Sequence, residues 1–456
     1  MSEMYPITMW YSTLGIGDGH DFATRGYLKS LIQAQYPGLR IPPSVSTSLL
    51  RFDKAGDSDI SGFAELVRPP KELRMKPLVL VKAGDPRIGT KRLVPSHING
   101  APDLDKDGEP VMTEIEITEG SIDLDVEQEH VSAKVAETKC LVIHHDPASI
   151  CRHYTNIVKH GRPSGVAFVG VTVWETSEIP EAIAMVLSEL DLIIVPSEHA
   201  KKAFVDSGVS ADVEVVPHAF DLEKWPKPSQ DELALDSERE KFVFYSVATP
   251  IERKNLVGLM RGYFKAFEGH RDVVLRLKSS ADKGMLAELA KQALDESGID
   301  PEKRPSLNFF TGKWPVEKIR AFHLDGDCYV SATRGEGFGL CELEAKLCGS
   351  QVVTTSWGAA PEILEGLEGT QLVAAKEVSV FNMQGIGCYE PEQCWAEPLD
   401  ESLAACMRAE YERGRSKDVE SWNEMNQRFG EVVVGRQLAA LLLKVQQTVQ
   451  EEDDDL

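Results

Sequence analysis

One stretch constrains this chain more than any other: an apolar strand, a glycine-rich turn and an amphipathic helix in unbroken succession. Cys328, Tyr329 and Val330 form a short apolar run that predicts a buried parallel strand, and Leu340, Leu343 and Leu347 share one helical face. Between them, Gly335, Gly337 and Gly339 let backbone amides approach a ligand with no side chain in the way. The helix that follows offers unpaired N–H donors and the positive end of its dipole, which together favour an anion. Glu336 sits within the turn. Glu344 lies beside the apolar stripe rather than on the outer face, a costly place for a charge unless something binds it.

The same alternation of strand and helix runs through most of the chain. The expected architecture is α/β, two doubly wound sheets facing a central cleft. With 456 residues and 42 % hydrophobic content, the chain exceeds what one core holds. Residues 1–221 read as the first domain, 222–241 as a polar linker, 242–420 as the second domain and 421–456 as terminal helices with an acidic, disordered tail from Glu451. The opening strand, Ile7 to Ser12, leads through Gly15, Gly17 and Gly19 into a helix for which Asp21 is the expected cap. This G-x-G-x-G spacing departs from the dinucleotide fingerprint, and no acidic residue follows the second strand near Leu39–Ile41 to hold a ribose.

Residues 50–137 read as an insertion, with a strand at Leu78 to Val81 and an exposed hairpin strand at Thr113 to Ile117. Its triplets Asp103-Leu104-Asp105 and Asp123-Leu124-Asp125 are read as solvated loop. Order returns at Cys140 to Ile143, a strand ending in His144-His145-Asp146 at the sheet edge where ligands bind in open α/β folds. No third histidine or cysteine stands at metal spacing, so no zinc is expected.

The formal net charge of −24 argues against broad attraction to nucleic acid or anionic lipid, though a local basic groove is compatible with it. Eight scattered cysteines suit a reducing compartment. With no export signal and no apolar run long enough to span a bilayer, a cytoplasmic location is expected.

Glu336 and Glu344 enclose seven residues, with Gly337-Phe338-Gly339 directly after the first glutamate. This resembles the E-x7-E motif of retaining GT-B glycosyltransferases, particularly the large family four. Similar too are the segments Trp174-Glu175 to Pro180, Asp191 to Ser197, Val216-Pro217-His218 and Ser356 to Glu362. The resemblance covers most of residues 140–370 and the opening loop.

It implies that Glu336 lies by the transferred sugar, that Glu344 holds the ribose, and that Gly337, Phe338, Gly339 and Leu340 face sugar and diphosphate. Gly15, Gly17 and Gly19 would face the donor across the cleft. His145, with His144 as second choice, would contact the donor sugar; Glu175 and His144 are acceptor-side candidates. The family pairs an arginine after the first strand of the second domain with a lysine about five residues on, clamping the diphosphate. Lys254 matches the lysine; Thr249 occupies the arginine position, so Arg253 is the candidate replacement. Lys278 is expected near a phosphate, and Trp314 either stacks on the base or packs into the core.

The implied activity is transfer of a sugar from a UDP- or GDP-sugar to a hydroxyl, with retention, with no cofactor beyond that co-substrate and without a metal. The acceptor stays open among saccharide, lipid-linked sugar, metabolite, protein and a hydroxylated DNA base. A sucrose-synthase-like or epimerase-like use of the donor is the alternative enzyme, and sugar-nucleotide or glycan binding without transfer the alternative class.

Overall fold

The computed structural model describes residues 7–12, 19–34, 39–41, 73–77, 91–95, 97–98, 101–102, 112–116, 131–133, 138–159, 161–235, 238–383, 388–418 and 420–454. Two large sheets organise them. The first has eight strands in the order Asp212–Val215, Leu192–Val195, Ala167–Val171, Thr138–His144, Ile7–Ser12, Leu39–Ile41, Leu73–Pro77 and Val131–Ala133. Its first six strands pair in parallel and its last two antiparallel. The second sheet is parallel throughout: Ser306–Phe310, Val273–Lys278, Phe242–Val247, Cys328–Ser331, Gln351–Thr355 and Thr370–Val373.

Both sheets are covered by helices, which is why their central strands are apolar on both faces. Cys140 to Ile143 and Val243 to Tyr245 are fully buried. Each such Val, Leu or Phe contributes roughly 1.5–3 kcal/mol on burial. In both sheets the chain starts near the middle and winds outward in two directions. The reversal falls between Ile7–Ser12 and Thr138–His144 in the first lobe, and between Phe242–Val247 and Cys328–Ser331 in the second. Crevices at the carboxyl ends of such strand pairs are where open α/β sheets bind ligands.

The chain then returns to the first lobe. Helices Ser421–Phe429 and Glu431–Asp454 follow the second sheet, and the latter crosses helix Gly19–Gln33. The crossing is close: a Cβ on Gly435 would stand 2.0 Å from the Ser30 carbonyl oxygen.

Several expectations are corrected. The terminal tail is helical through Asp454, anchored where Lys139 donates to Gln450 at 2.7 Å and Ser164 to Asp453. The first helix already runs at Gly19, so Asp21 lies inside its first turn and does not precede it. The linker is more than polar spacer: Trp225 is buried against His323, and Ser229 and Glu232 close a capping box on helix Gln230–Leu233. In the insertion, Met112–Glu116 pairs antiparallel with Lys91–Pro95 as a hairpin strand should. Leu78 to Val81 and both D-x-D triplets lie outside the described residues.

Candidate active site

The reversal point of the second sheet brings two loops together. After Phe242–Val247 the chain passes through a 3-10 turn at Glu252–Lys254, stopped by Asn255 in the left-handed region at φ 50°. The Asn255 side chain then caps helix Leu256–Ala266 through the Gly258 amide at 3.0 Å. After Cys328–Ser331 the glycine turn leads into helix Leu340–Leu347. The Arg253 carbonyl ties the loops, accepting from the Arg334 amide at 2.8 Å with the Thr333 hydroxyl oxygen 3.2 Å away.

Glu336 is thereby set among donors. It is 8 % exposed. Lys254 pairs with it directly, the Arg253 Nη1 lies 3.5 Å away and the Thr333 hydroxyl donates at 3.2 Å. Burial pushes its carboxyl up, but the charges of Lys254 and Arg253 and the hydrogen bonds from Lys254 and Thr333 prevail and hold it below the usual range. It is an ionised, fixed carboxylate.

The first lobe closes over this group. Glu175 Oε1 is 3.2 Å from Arg253 Nη2, and its Oε2 accepts from the Tyr389 hydroxyl at 2.9 Å. Trp174 stacks on Tyr389, centroids 5.4 Å apart. Arg253 also donates to the Gly335 carbonyl at 2.6 Å. Burial opposes the charge on Arg253, yet Glu175 and then Tyr389 and Glu336 raise its pKa. The glycine turn itself touches the first lobe. A Cβ on Gly335 would stand 2.3 Å from the Glu175 carbonyl oxygen, one on Gly337 would meet Val173 at 2.3 Å, and Ser197 donates to the Gly337 carbonyl at 2.7 Å. Two of the three glycines thus answer a steric demand of the neighbouring lobe as well as any ligand.

Past the turn, Gly339 takes φ 96° and starts the helix. Among the described residues no acceptor is found for the amides of Gly337, Phe338, Gly339 and Leu340. The Phe338 ring is buried between His218 and Phe429, so only its main chain can meet a ligand. Glu344 meets a different partner. It is half-buried, and its Oε2 lies 3.5 Å from Nε2 of the buried His323.

Other expected residues fall elsewhere. His145 sits at the reversal point of the first sheet, its Nδ1 2.6 Å from Asp146 Oδ2, while Asp146 caps helix Pro147–Val158 through the Ser149 amide. His144 turns into the core, its Nδ1 3.0 Å from the Thr24 hydroxyl and its ring against Trp10 and Tyr27. That environment withdraws it from the acceptor side. Gly15 and Gly17 lie outside the described residues, and Gly19 begins the first helix. Lys278 is committed to the Gly312 carbonyl at 2.7 Å and the Ser279 carbonyl at 3.1 Å. Trp314 packs edge-on to Phe310 and Phe322, with Lys278 and Lys318 over its ring. Thr249 is exposed and supplies no cation.

Sequence reasoning missed Tyr389, Thr333 and Ser197. Thr333 and Ser197 stand within stretches whose importance was visible. Tyr389 follows a hairpin strand, Ala375–Ser379, in a region with no legible motif. Among the described residues, no group of three or more His, Cys, Asp or Glu is placed to hold a metal ion. Among them, too, no helix is long and apolar enough to cross a membrane.

Residues 272–383 match the family model of glycosyl transferases group 1. The matched stretch contains Glu336 and Glu344, so the second lobe carries a glycosyl transferases group 1 domain. Its relatives include the phosphatidylinositol N-acetylglucosaminyltransferase GPI3 subunit of Saccharomyces cerevisiae, 26 % identical over 208 residues, which are 45 % of this chain and 44 % of that protein. Another is the GDP-mannose-dependent alpha-(1-6)-phosphatidylinositol monomannoside mannosyltransferase of Mycolicibacterium smegmatis, 26 % identical over 41 % of this chain and 50 % of that one. The chain thus spans about half the length of the curated relatives it matches.

Among solved structures, Anabaena HepE in complex with UDP and glucose superposes with a TM-score of 0.53 at 15 % identity, over 96 % of this chain and 100 % of that one. The pneumococcal O-GlcNAc transferase GtfA in complex with UDP and GlcNAc gives 0.50 at 11 % identity, over 97 % and 99 %. At such identities the likeness is one of fold, and the fold is GT-B.

Proposed function

We propose that the protein is a retaining glycosyltransferase that moves a sugar from a nucleotide diphosphate sugar, UDP- or GDP-linked, to a hydroxyl acceptor. The observation that carries this reading is Glu336, fixed as a carboxylate by Lys254 and Arg253 at the reversal point of the second sheet, beside helix-start amides. In the proposed site the amides of Gly337 to Leu340 and Lys254 receive the diphosphate. Arg253 supplies the second cation in place of the arginine absent at Thr249. Glu344 takes the ribose, and Glu336 and His145 approach the sugar.

Charge develops on the leaving diphosphate as the glycosidic bond breaks, and preorganised cations and N–H dipoles stabilise it in a water-poor cleft. The acceptor hydroxyl gives its proton to the departing donor phosphate, so no strong protein base is required. Orientation across two lobes supplies much of the remainder. The yeast and mycobacterial relatives are named for phosphatidylinositol-containing acceptors, which brings an inositol-lipid hydroxyl into the acceptor panel.

The test is a panel of UDP-, GDP- and ADP-sugars, scored by thermal shift and by nucleotide release with saccharide, inositol-lipid, protein and hydroxymethylated-DNA acceptors. One donor should stabilise the protein and be consumed with one acceptor class. Stabilisation without release on any acceptor supports binding without transfer, the reading favoured by exposed Thr249 and by an Arg253 already engaged with Glu175. No stabilisation by any donor sinks both.

A further inference from the structure

Six residues beyond Glu336, a second carboxyl is buried in the first turn of the helix that follows the glycine turn, and the proposed mechanism does not use it. Glu342 is 2 % exposed. Its Oε1 receives the Thr354 hydroxyl at 3.3 Å, and the Ser331 hydroxyl and its own amide lie against it. Its Oε2 would be 3.2 Å from a Cβ on Gly339, which places the carboxyl directly beneath the glycine turn.

The charged groups facing it are Glu336, which repels an ionised Glu342, and Lys254, which attracts it but is already paired with Glu336. The buried Tyr329 and the half-buried Cys341 also adjoin it. Lys346, one turn on, gives its ammonium to the Glu368 and Gly369 carbonyls at 2.6 and 3.1 Å. Hydroxyls and one amide are poor compensation for a buried charge. Burial first, and the Glu336 charge second, push this carboxyl above its ordinary range.

We propose that Glu342 is a positioning residue held protonated beneath the glycine turn, so that an anionic donor at the helix start does not meet a second carboxylate charge. The inference rests on the donor site described above for its binding half, and on burial and contacts alone for its protonation half. It makes Glu336 and Glu342 a divided pair: one carboxyl ionised by two cations, the other neutral among hydroxyls. Such pairs separate roles by environment.

Two readouts keep the halves apart. The first is thermal unfolding of wild type and Glu342→Gln from about pH 5 to about pH 9. A proton retained by the folded state and lost by the unfolded one makes wild-type stability fall as pH rises, whereas glutamine cannot ionise. The Tm advantage of Glu342→Gln should therefore grow with pH; a constant difference across the range overturns the protonation. The second is the affinity of the nucleotide, UDP or GDP, that stabilises the protein. Glu342→Gln should bind it at least as tightly as wild type at every pH. A loss of about tenfold or more at neutral pH would mean that a charged carboxylate is required, and overturns the binding half. A growing Tm difference with no nucleotide bound by wild type at any pH leaves Glu342 neutral and removes the donor reading instead.

Discussion

The lobes meet over two buried charge clusters, and the two behave in opposite ways. At the cleft, Glu175 and Glu336 face Arg253 and Lys254. Where the chain crosses back, Lys29 lies 2.8 Å from Asp221 and 3.2 Å from Glu223, and Glu431 adds a third carboxyl whose Oε1 has no hydrogen-bond partner among the described residues. Glu336 and Glu431 are comparably buried, 8 % and 5 % exposed. Yet Glu336 is held below its usual range, while Glu431 is pushed up to about 7 by burial and then by the Asp221 charge, against the pull of Lys29. Local charge balance, not depth, decides which carboxyl ionises. The balanced cluster can hold a fixed carboxylate at the point of chemistry; the acid-rich one makes the crossover responsive to pH.

The strongest way to break this contrast is Glu336→Ala. It leaves Lys254 and Arg253 with a smaller acidic complement, so the donor diphosphate should bind as well as before or better. The transfer rate should fall by about 10²–10³-fold. Single-turnover transfer and nucleotide titration separate the two effects, and a rate within about twofold of wild type would remove Glu336 from the chemistry. The crossover comes next. Glu431 keeps a proton in the folded state between its ordinary value of 4.5 and about 7, where the unfolded chain has lost it. Its contribution to stability is therefore complete below that window and disappears as pH rises through it, by an amount on the order of 3 kcal/mol. Glu431→Gln should flatten that part of the stability profile; an unchanged slope would mean that the carboxyl ionises freely and that the two clusters do not differ.

How much of this was legible beforehand follows from what each residue answers to. The strand Cys328–Ser331 and the helix Leu340–Leu347 fall where apolar pattern puts them, because their burial is set by their own sequence. Glu336 and Lys254 were each singled out by the family resemblance, but their ion pair was not, because it depends on two loops 82 residues apart meeting at one reversal point. Long-range partners were not. Nothing local marks Tyr389 as a donor to Glu175, or Gly337 as the residue that must clear Val173. His144 and His145 were separable only by the pleat, which turns alternate side chains to opposite faces and sends His144 toward Thr24. The helical tail was misjudged because Gln450 and Asp453 find their partners, Lys139 and Ser164, nearly three hundred residues away or more.

The smallest expected effect is at the rim of the cleft cluster, and it tests whether that cluster couples the lobes. Tyr389→Phe removes one hydrogen bond to Glu175 while Arg253 continues to hold the carboxylate. A bond to a charged acceptor contributes roughly 1.5–3 kcal/mol when it is the sole partner; with the arginine still in place about 1 kcal/mol is expected. Stacking of Trp174 on the ring survives in phenylalanine, so lobe packing should be kept. A double-mutant cycle with Glu175→Gln isolates the contact, because both variants preserve shape. Coupling near 1 kcal/mol, read from unfolding midpoints, would show the first-lobe carboxylate gripped from two sides. Additive effects would mean that Arg253 alone holds Glu175, and the cleft cluster would then be a simple chain of ion pairs rather than a latch.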